Sequence, residues 1–184
     1  FFLDYISRRK NGKKNIYYYS GFRGSNGLLI VGADGHKELI TDFRYLSQAA
    51  IQAPDWPVHQ CSGDVFVSLA EYLEKQEGNW FFEDQNMTVR EYQTLPTHEK
   101  ITYHPSNFDF LRQIKSEEEI KKIKKAAQIA DQALFDLIEW LEPGKQERDV
   151  QIFLDHKMME FGAERTSFPT IIGSGPNGAL PHAT

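Results

Sequence analysis

The segment from Ser116 to Leu141 constrains the fold most. Apolar residues recur there at Ile120, Ile123, Ala127, Ala130, Leu134, Leu137 and Leu141, alternating steps of three and four. That spacing predicts one long amphipathic helix with a continuous apolar face. Ser116 and Glu119 form a capping box, the glutamates Glu117–Glu119 suit the positive helix N-terminus, and Pro143-Gly144 ends the run. A second helix is expected from about Glu147 to Phe161, stopping at Gly162, with Val150, Phe153, Leu154, Met158 and Phe161 on one face. A β-type run, Thr166–Ile172, follows it. Two amphipathic helices and one strand cannot close a core by themselves, so their apolar faces ask for a sheet that these residues only begin.

The first hundred residues follow another pattern, short strands alternating with short helices. Strands are expected at Phe1–Asp4, Val58–Gln60, Trp80–Glu83 and Ile101–His104, the last bounded by Pro105. Leu28–Val31 and Glu38–Thr41 read as a hairpin turning at Asp34-Gly35. Helices are expected at Asp42–Ile51, at Val65–Lys75 (capped by Ser62 or Asp64 and closed by Gly78), and at Thr88–Leu95, where Thr88 and Glu91 make another capping box. The fold class is α/β, with domains expected at 1–107 and 108–184.

Net charge is −5, which argues against a nucleic-acid surface. Arg8–Lys14 reads as a solvated turn and Lys121–Lys125 as a solvated helix face. No apolar run approaches the roughly 18–20 residues of a membrane span, so no membrane partner is expected. The single cysteine, Cys61, allows no internal disulfide and fits a reducing, cytoplasmic setting. A chain opening on Phe1-Phe2-Leu3 and stopping after His182-Ala183-Thr184 is expected to be a piece of something longer.

Gly173-Ser-Gly175-Pro-Asn-Gly178 matches a dinucleotide-binding pattern, but Pro176 and Pro181 oppose the helix start that a pyrophosphate needs. The better reading is a stiff, shaped loop, and it leads to His182, a residue type suited there to substrate contact or proton transfer. His36, His59, His98, His104 and His156 are isolated in sequence and lack the spacing of a local metal site. The stretch Tyr17–Gly27 reads as a tight turn with tyrosines in the core, or as a loop facing substrate or a second subunit. Asp42 reads as an N-cap with Arg44 as its ion-pair partner.

Several segments, taken in order, resemble the aminopeptidase P and prolidase metallopeptidases, the pita-bread family that also includes creatinase. They are Asn15–Tyr18 with Ser20–Gly27, Leu39–Tyr45 with Gln48-Ala49, Leu111-Arg112 with Ile114–Ser116 and Glu119-Ile120, Gly144 with Glu147, and Gly162-Ala163 through Ala183. The resemblance implies a creatinase/prolidase-like N-terminal α/β domain followed by the start of a pita-bread α+β catalytic domain. It also implies hydrolysis of the bond before proline in proline-containing peptides, using two divalent metal ions, often manganese. A homodimer is implied too, in which the loop Phe22–Asn26 approaches a neighbour's active site, so Phe22 and Arg23 become substrate-binding candidates. His182 matches the family's active-site histidine, placed near substrate to steady the scissile carbonyl or assist proton transfer. The family's metal ligands all follow that histidine, so no metal is expected to be ligated by residues 1–184, and this piece alone is expected to be inactive. Departures from the family are a longer connection at Arg8–Lys14 and Gln146 where a threonine is common. A non-catalytic relative that binds peptides or proteins is the alternative reading, and creatinase-type hydrolysis without metal is another.

Overall fold

The computed structural model describes residues 4–8, 13–85 and 87–181. Contacts divide the chain into Phe1–Gln113 and Ile114–Thr184. This division lies beyond the boundary expected at 107/108, because the turn Asp109–Arg112 is tied back into the first unit, where Arg112 Nε donates to Asn15 Oδ1.

In the first unit the elements run β1 (Asp4–Arg8), α1 (Lys13–Ser20), β2 (Leu28–Val31), β3 (Lys37–Asp42), a 3-10 turn Phe43–Tyr45 into α2 (Leu46–Gln52), β4 (Val58–Cys61), α3 (Val65–Leu73), β5 (Gly78–Glu83), α4 (Val89–Tyr92) and β6 (Ile101–Ser106). Six strands form one mixed sheet in the order β4-β3-β2-β1-β5-β6. The β1–β2 and β2–β3 pairs are antiparallel, whereas β3–β4, β1–β5 and β5–β6 are parallel. Alternation along β2 and β3 sends side chains to opposite faces. Leu28, Ile30 and Ile40 join Val65, Phe66, Leu69 and Leu73 of α3 on one side, while Leu29 and Leu39 pack with Ile16 of α1 and Ala49 of α2 on the other. Both faces of the sheet are therefore covered by helices, as the alternating pattern requires.

Local chemistry explains the turns. The hairpin closes through a Gly35 N–H donated to the Gly32 carbonyl at 3.0 Å, with Gly35 at φ +89. Asp64 caps α3 by accepting from the Phe66 N–H at 3.0 Å, and the Thr88–Glu91 capping box is formed in both directions. Strand β6 continues through Pro105, which an edge strand tolerates.

Two local expectations give way. The solvated turn and aromatic loop expected from Arg8 through Gly27 hold the helix α1 at Lys13–Ser20. Its tyrosines and asparagine are weak helix formers, but burial of Ile16 and Asn15 against the sheet overrides propensity. Tyr17 and Tyr18 accordingly lie exposed rather than in the core. Gly78 does not close α3; it opens β5 at φ +96, its N–H bonded to the Lys100 carbonyl at 2.7 Å. The strand expected at Phe1–Asp4 lies largely outside the described residues, and the described strand is Asp4–Arg8.

In the second unit, α5 (Glu117–Trp140) and α6 (Glu147–Glu160) form an antiparallel pair. Ser116 and Glu119 cap α5 reciprocally. The Trp140 and Phe153 rings stack at 4.4 Å, and Lys157 Nζ reaches Asp136 across the pair at 3.2 Å. Gly162, at φ +98, ends α6 while the Ala163 N–H returns to the Met158 carbonyl at 2.9 Å. Of the expected α5 stripe only Leu137 is buried; Ile120, Ile123, Leu134 and Leu141 stay exposed. The strand expected at Thr166–Ile172 is absent: among the described residues no neighbouring strand pairs with this segment, and a β-rich composition without a ladder partner makes no strand. Beyond it Gly175–Ala179 forms a 3-10 turn with Pro176 in its first turn, where a fixed φ and a missing N–H are harmless. A short helical turn thus starts where the two prolines were expected to forbid one.

Candidate active site

The loop after α1 is built around one aromatic ring. Helix α1 ends at Gly21, whose φ of +78 favours glycine and whose N–H bonds the Tyr17 carbonyl at 2.8 Å. Ser20 Oγ donates to the Ile16 carbonyl at 2.7 Å and accepts from the Phe22 N–H at 3.1 Å, which turns Phe22 inward. The Phe22 ring is fully buried with Ile16, Leu39, Ala49 and Ala53, and meets the Tyr45 ring edge-on at 6.0 Å. Gly24 and Gly27 fold over it so closely that a Cβ on either would overlap the ring. Within this unit the Phe22 ring is thus enclosed on all sides by protein atoms. It is the anchor of the loop, because two glycines and a buried pocket hold it from every side.

Arg23 and Ser25 are the exposed residues of this loop. The Arg23 backbone N–H donates to Gln52 Oε1 at 2.8 Å, and its guanidinium donates to the Tyr17 hydroxyl at 2.9 Å. The far end of the loop is tied to β3 by polar contacts. Asn26 Nδ2 donates to Asp42 Oδ2 at 2.7 Å, Thr41 Oγ1 donates to the Asn26 carbonyl at 2.6 Å, and the Ser25 and Tyr45 hydroxyls are hydrogen-bonded. Asp42 also accepts from the Arg44 backbone N–H at 3.1 Å and pairs with its guanidinium through both carboxylate oxygens. The Arg44 guanidinium, helped by Asn26, holds the Asp42 carboxyl well below the usual carboxylate range. The N-cap and ion-pair roles expected for Asp42 and Arg44 are both present. The tie from Asn26 to Asp42 went unread, because residues 16 positions apart carry no local signature.

A second polar knot was also unread. Asn15 Nδ2 donates to Glu83 Oε1, and Arg112 reaches both Asn15 and Asp109. Burial, with the nearby Glu83 charge, pushes the Tyr19 hydroxyl up to about 12. This knot joins α1, β5 and the turn after β6 and has a structural purpose.

In the second unit the segment leading toward His182 is fixed to α6. Glu147 Oε1 accepts from the Ser174 N–H at 2.6 Å, and its two oxygens accept from Asn177 Nδ2 at 3.2 and 3.0 Å. Thr170 Oγ1 donates to Asp155 Oδ1 further along the same helix. His182 itself lies outside the described residues. Phe22 and Arg23 belong to the first unit and the Gly173–Pro181 loop to the second.

The histidines that are isolated in sequence include two that meet in space. His36 Nε2 and His59 Nδ1 lie 3.6 and 3.5 Å from the Glu38 carboxylate. Among the described residues no three histidine, cysteine, aspartate or glutamate side chains converge on a point that would hold a metal ion. The described donors therefore do not fit the divalent metals of the resemblance. Nor is any described helix long and apolar enough to cross a membrane.

Comparison with known proteins decides the family. The model for the creatinase/prolidase N-terminal domain matches residues 8–114, and the model for metallopeptidase family M24 matches residues 121–184. The chain belongs to the creatinase/prolidase family. The Xaa-Pro dipeptidase of Pyrococcus horikoshii is 50% identical over 185 residues, covering 98% of this chain and 50% of that protein. An uncharacterised peptidase of Bacillus subtilis, YqhT, is 34% identical over 175 residues, covering 91% of this chain and 48% of its own length. Among solved structures, the Xaa-Pro dipeptidase from Bacillus anthracis matches with a TM-score of 0.84 at 28% identity, covering 99% of this chain and 51% of that one. The chain spans about half the length of the curated relatives it matches. The creatinase/prolidase reading of the sequence thus stands, as does the α/β fold class.

Proposed function

We propose that the whole protein is a metal-dependent Xaa-Pro peptidase that hydrolyses the peptide bond before proline, and that residues 1–184 form its N-terminal half. The supporting observation is the 50% identity to an enzyme named Xaa-Pro dipeptidase over 98% of this chain. A tertiary amide before proline has no N–H and leaves as a secondary amine, so its cleavage needs carbonyl polarisation and a proton for the departing nitrogen. In this proposal His182 supplies a substrate-side contact of that kind, at the end of a loop that Glu147 and Asp155 hold against α6. Arg23 presents a cation suited to a substrate carboxylate, and Phe22 keeps that loop in shape. Two divalent metals, manganese in the first instance, would be held by sequence following residue 184, so this piece alone would be inactive. The working form would be a cytoplasmic homodimer.

The test is kinetic. The full-length protein, loaded with Mn²⁺, is assayed on Xaa-Pro dipeptides and on longer Xaa-Pro-Yaa peptides. The proposal expects turnover on at least one class. A metal-loaded protein that cleaves neither sinks it and favours a peptide-binding relative.

A further inference from the structure

We propose that the groove between α3 and the β3–β4 edge of the first unit binds a free α-amino acid with an apolar side chain, its ammonium on Glu38 and its carboxylate toward Lys75. The proposal goes beyond the peptidase reading and does not depend on it. Helix α3 turns Val65, Phe66, Leu69 and Leu73 into the core against β2 and β3. Its next side, Ser68, Glu71 and Tyr72, borders an open cavity of about 330 Å³ that Glu38, His59 and Lys75 also line. Strand β4, which carries His59, is the edge of the sheet, so no further strand closes the groove there. A volume of this size lies at the small end of the range for ligand pockets.

The chemistry centres on Glu38. Its side chain is only 18% exposed, yet among the described residues no group makes a hydrogen bond to its carboxylate. His36 Nε2 and His59 Nδ1 stand 3.6 and 3.5 Å away, longer than an ordinary hydrogen bond. A carboxylate withdrawn from water without donors is costly, and a ligand N–H that reaches it recovers that cost. An ammonium brings three such donors. Glu71 lines the same cavity and pairs with no described cation, so a second carboxylate favours a positive group there. Lys75, in the turn that follows α3, is the cation on this rim and pairs with no described carboxylate. Tyr72 supplies the apolar wall. Its ring is held between His36, stacked at 6.1 Å, and Trp80, met edge-on at 6.0 Å, while Ile40 adds an aliphatic surface. Two acceptors, one cation and an aromatic wall match an ammonium, a carboxylate and an apolar side chain. A purely cationic ligand would leave Lys75 opposed, and a purely anionic one would meet two carboxylates.

The experiment uses the full-length protein without metal, so that binding is read apart from any hydrolysis. Calorimetric titration with L-leucine should give a saturable Kd at or below about 1 mM. Amide hydrogen exchange locates the ligand: residues 37–42, 58–61 and 65–76 should exchange more slowly with leucine bound. Two analogues dissect the contacts. 4-Methylpentanoate, which lacks the ammonium, should bind at least about 10-fold more weakly. L-Leucinamide, which lacks the carboxylate, should bind about 2- to 5-fold more weakly, the scale of one exposed ion pair. Glu38→Gln should weaken leucine at least about 10-fold while leaving the thermal midpoint of the unliganded protein no lower than in the wild type, because its carboxylate has no described donor to lose. Lys75→Ala, an exposed change, should weaken leucine about 2- to 5-fold and leave leucinamide unaffected. No binding at about 10 mM, or protection confined to other segments, overturns the proposal. So does equal affinity for leucine and 4-methylpentanoate, undiminished binding in E38Q, or a lowered midpoint in E38Q, which would give Glu38 a structural role instead. Equal loss of leucine and leucinamide in K75A overturns the assignment of the carboxylate to Lys75.

Discussion

Replacing Gly24 with alanine tests the claim that the loop glycines exist to cover Phe22. Gly24 has no positive φ, so its backbone conformation suits any residue. The obstacle is steric: a Cβ at this position would lie 2.6 and 2.9 Å from the two Cε atoms of Phe22, and closer still to Cζ. The ring cannot yield easily, because it is fully buried between Leu39, Ile16 and Tyr45. Forcing a methyl into such a site costs about 1–3 kcal/mol. Leucine at position 22 lacks Cζ and both Cε atoms, so Phe22→Leu removes the obstacle; alone it should cost about 1–1.5 kcal/mol. The double variant F22L/G24A should then be more stable than additivity predicts by at least about 1 kcal/mol. Gly63→Ala is the control, since a Cβ there meets nothing within 4 Å. It should change stability by no more than about 0.5 kcal/mol. Urea unfolding is read by tryptophan fluorescence in a Trp140→Phe background, leaving Trp56 and Trp80 to report on the first unit. A G24A variant as stable as G63A, or strict additivity with F22L, would refute the packing argument.

Asp42→Asn should destabilise the first unit at pH 7 by about 1.5–3 kcal/mol, the range for a hydrogen bond to a charged group. Because the folded carboxyl is held below its ordinary range by Arg44, that contribution is complete above the unfolded value near 3.8 and fades as pH falls through the folded one. The gap between wild type and D42N in urea midpoint should therefore be constant from pH 7 to 5 and narrow below pH 4; a constant gap down to pH 2.5 would contradict the assignment. Ser116→Ala removes half of the reciprocal cap on α5 and should cost about 1 kcal/mol, visible as lost helical circular dichroism on heating. Equal thermal curves would show the cap to be idle.

The features legible in the sequence are those whose cause lies within a few residues. The Asp34-Gly35 turn, the Thr88 and Ser116 capping boxes and the Asp42 cap need no distant partner, and each is found as read. Features fixed by distant partners were not legible. Helix α1 runs through Tyr17-Tyr18-Tyr19 because Ile16 and Asn15 are buried by strands far along the chain. The sheet order, which puts β1 between β2 and β5, depends on long-range pairing that periodicity does not encode. Thr166–Ile172 has strand composition but no neighbouring strand among the described residues, so composition misled. Near the candidate site, the Gly173–Gly178 loop stands out from residue type alone, whereas Arg23 is singled out only through the family resemblance. Neither the burial of Phe22 nor the grip of Glu147 is legible there, since they depend on distant residues, Leu39, Ala49 and Ala53 for Phe22 and Ser174 and Asn177 for Glu147.

The most direct test of the central claim is the specificity of the full-length, Mn²⁺-loaded protein on matched dipeptides, Xaa-Pro against Xaa-Ala. Hydrolysis of Xaa-Pro is expected with kcat/KM at least about 10²-fold above Xaa-Ala, because a site shaped for the proline ring discriminates at the transition state. Equal cleavage of the two, or no cleavage of Xaa-Pro by a protein with metal demonstrably bound, would contradict it.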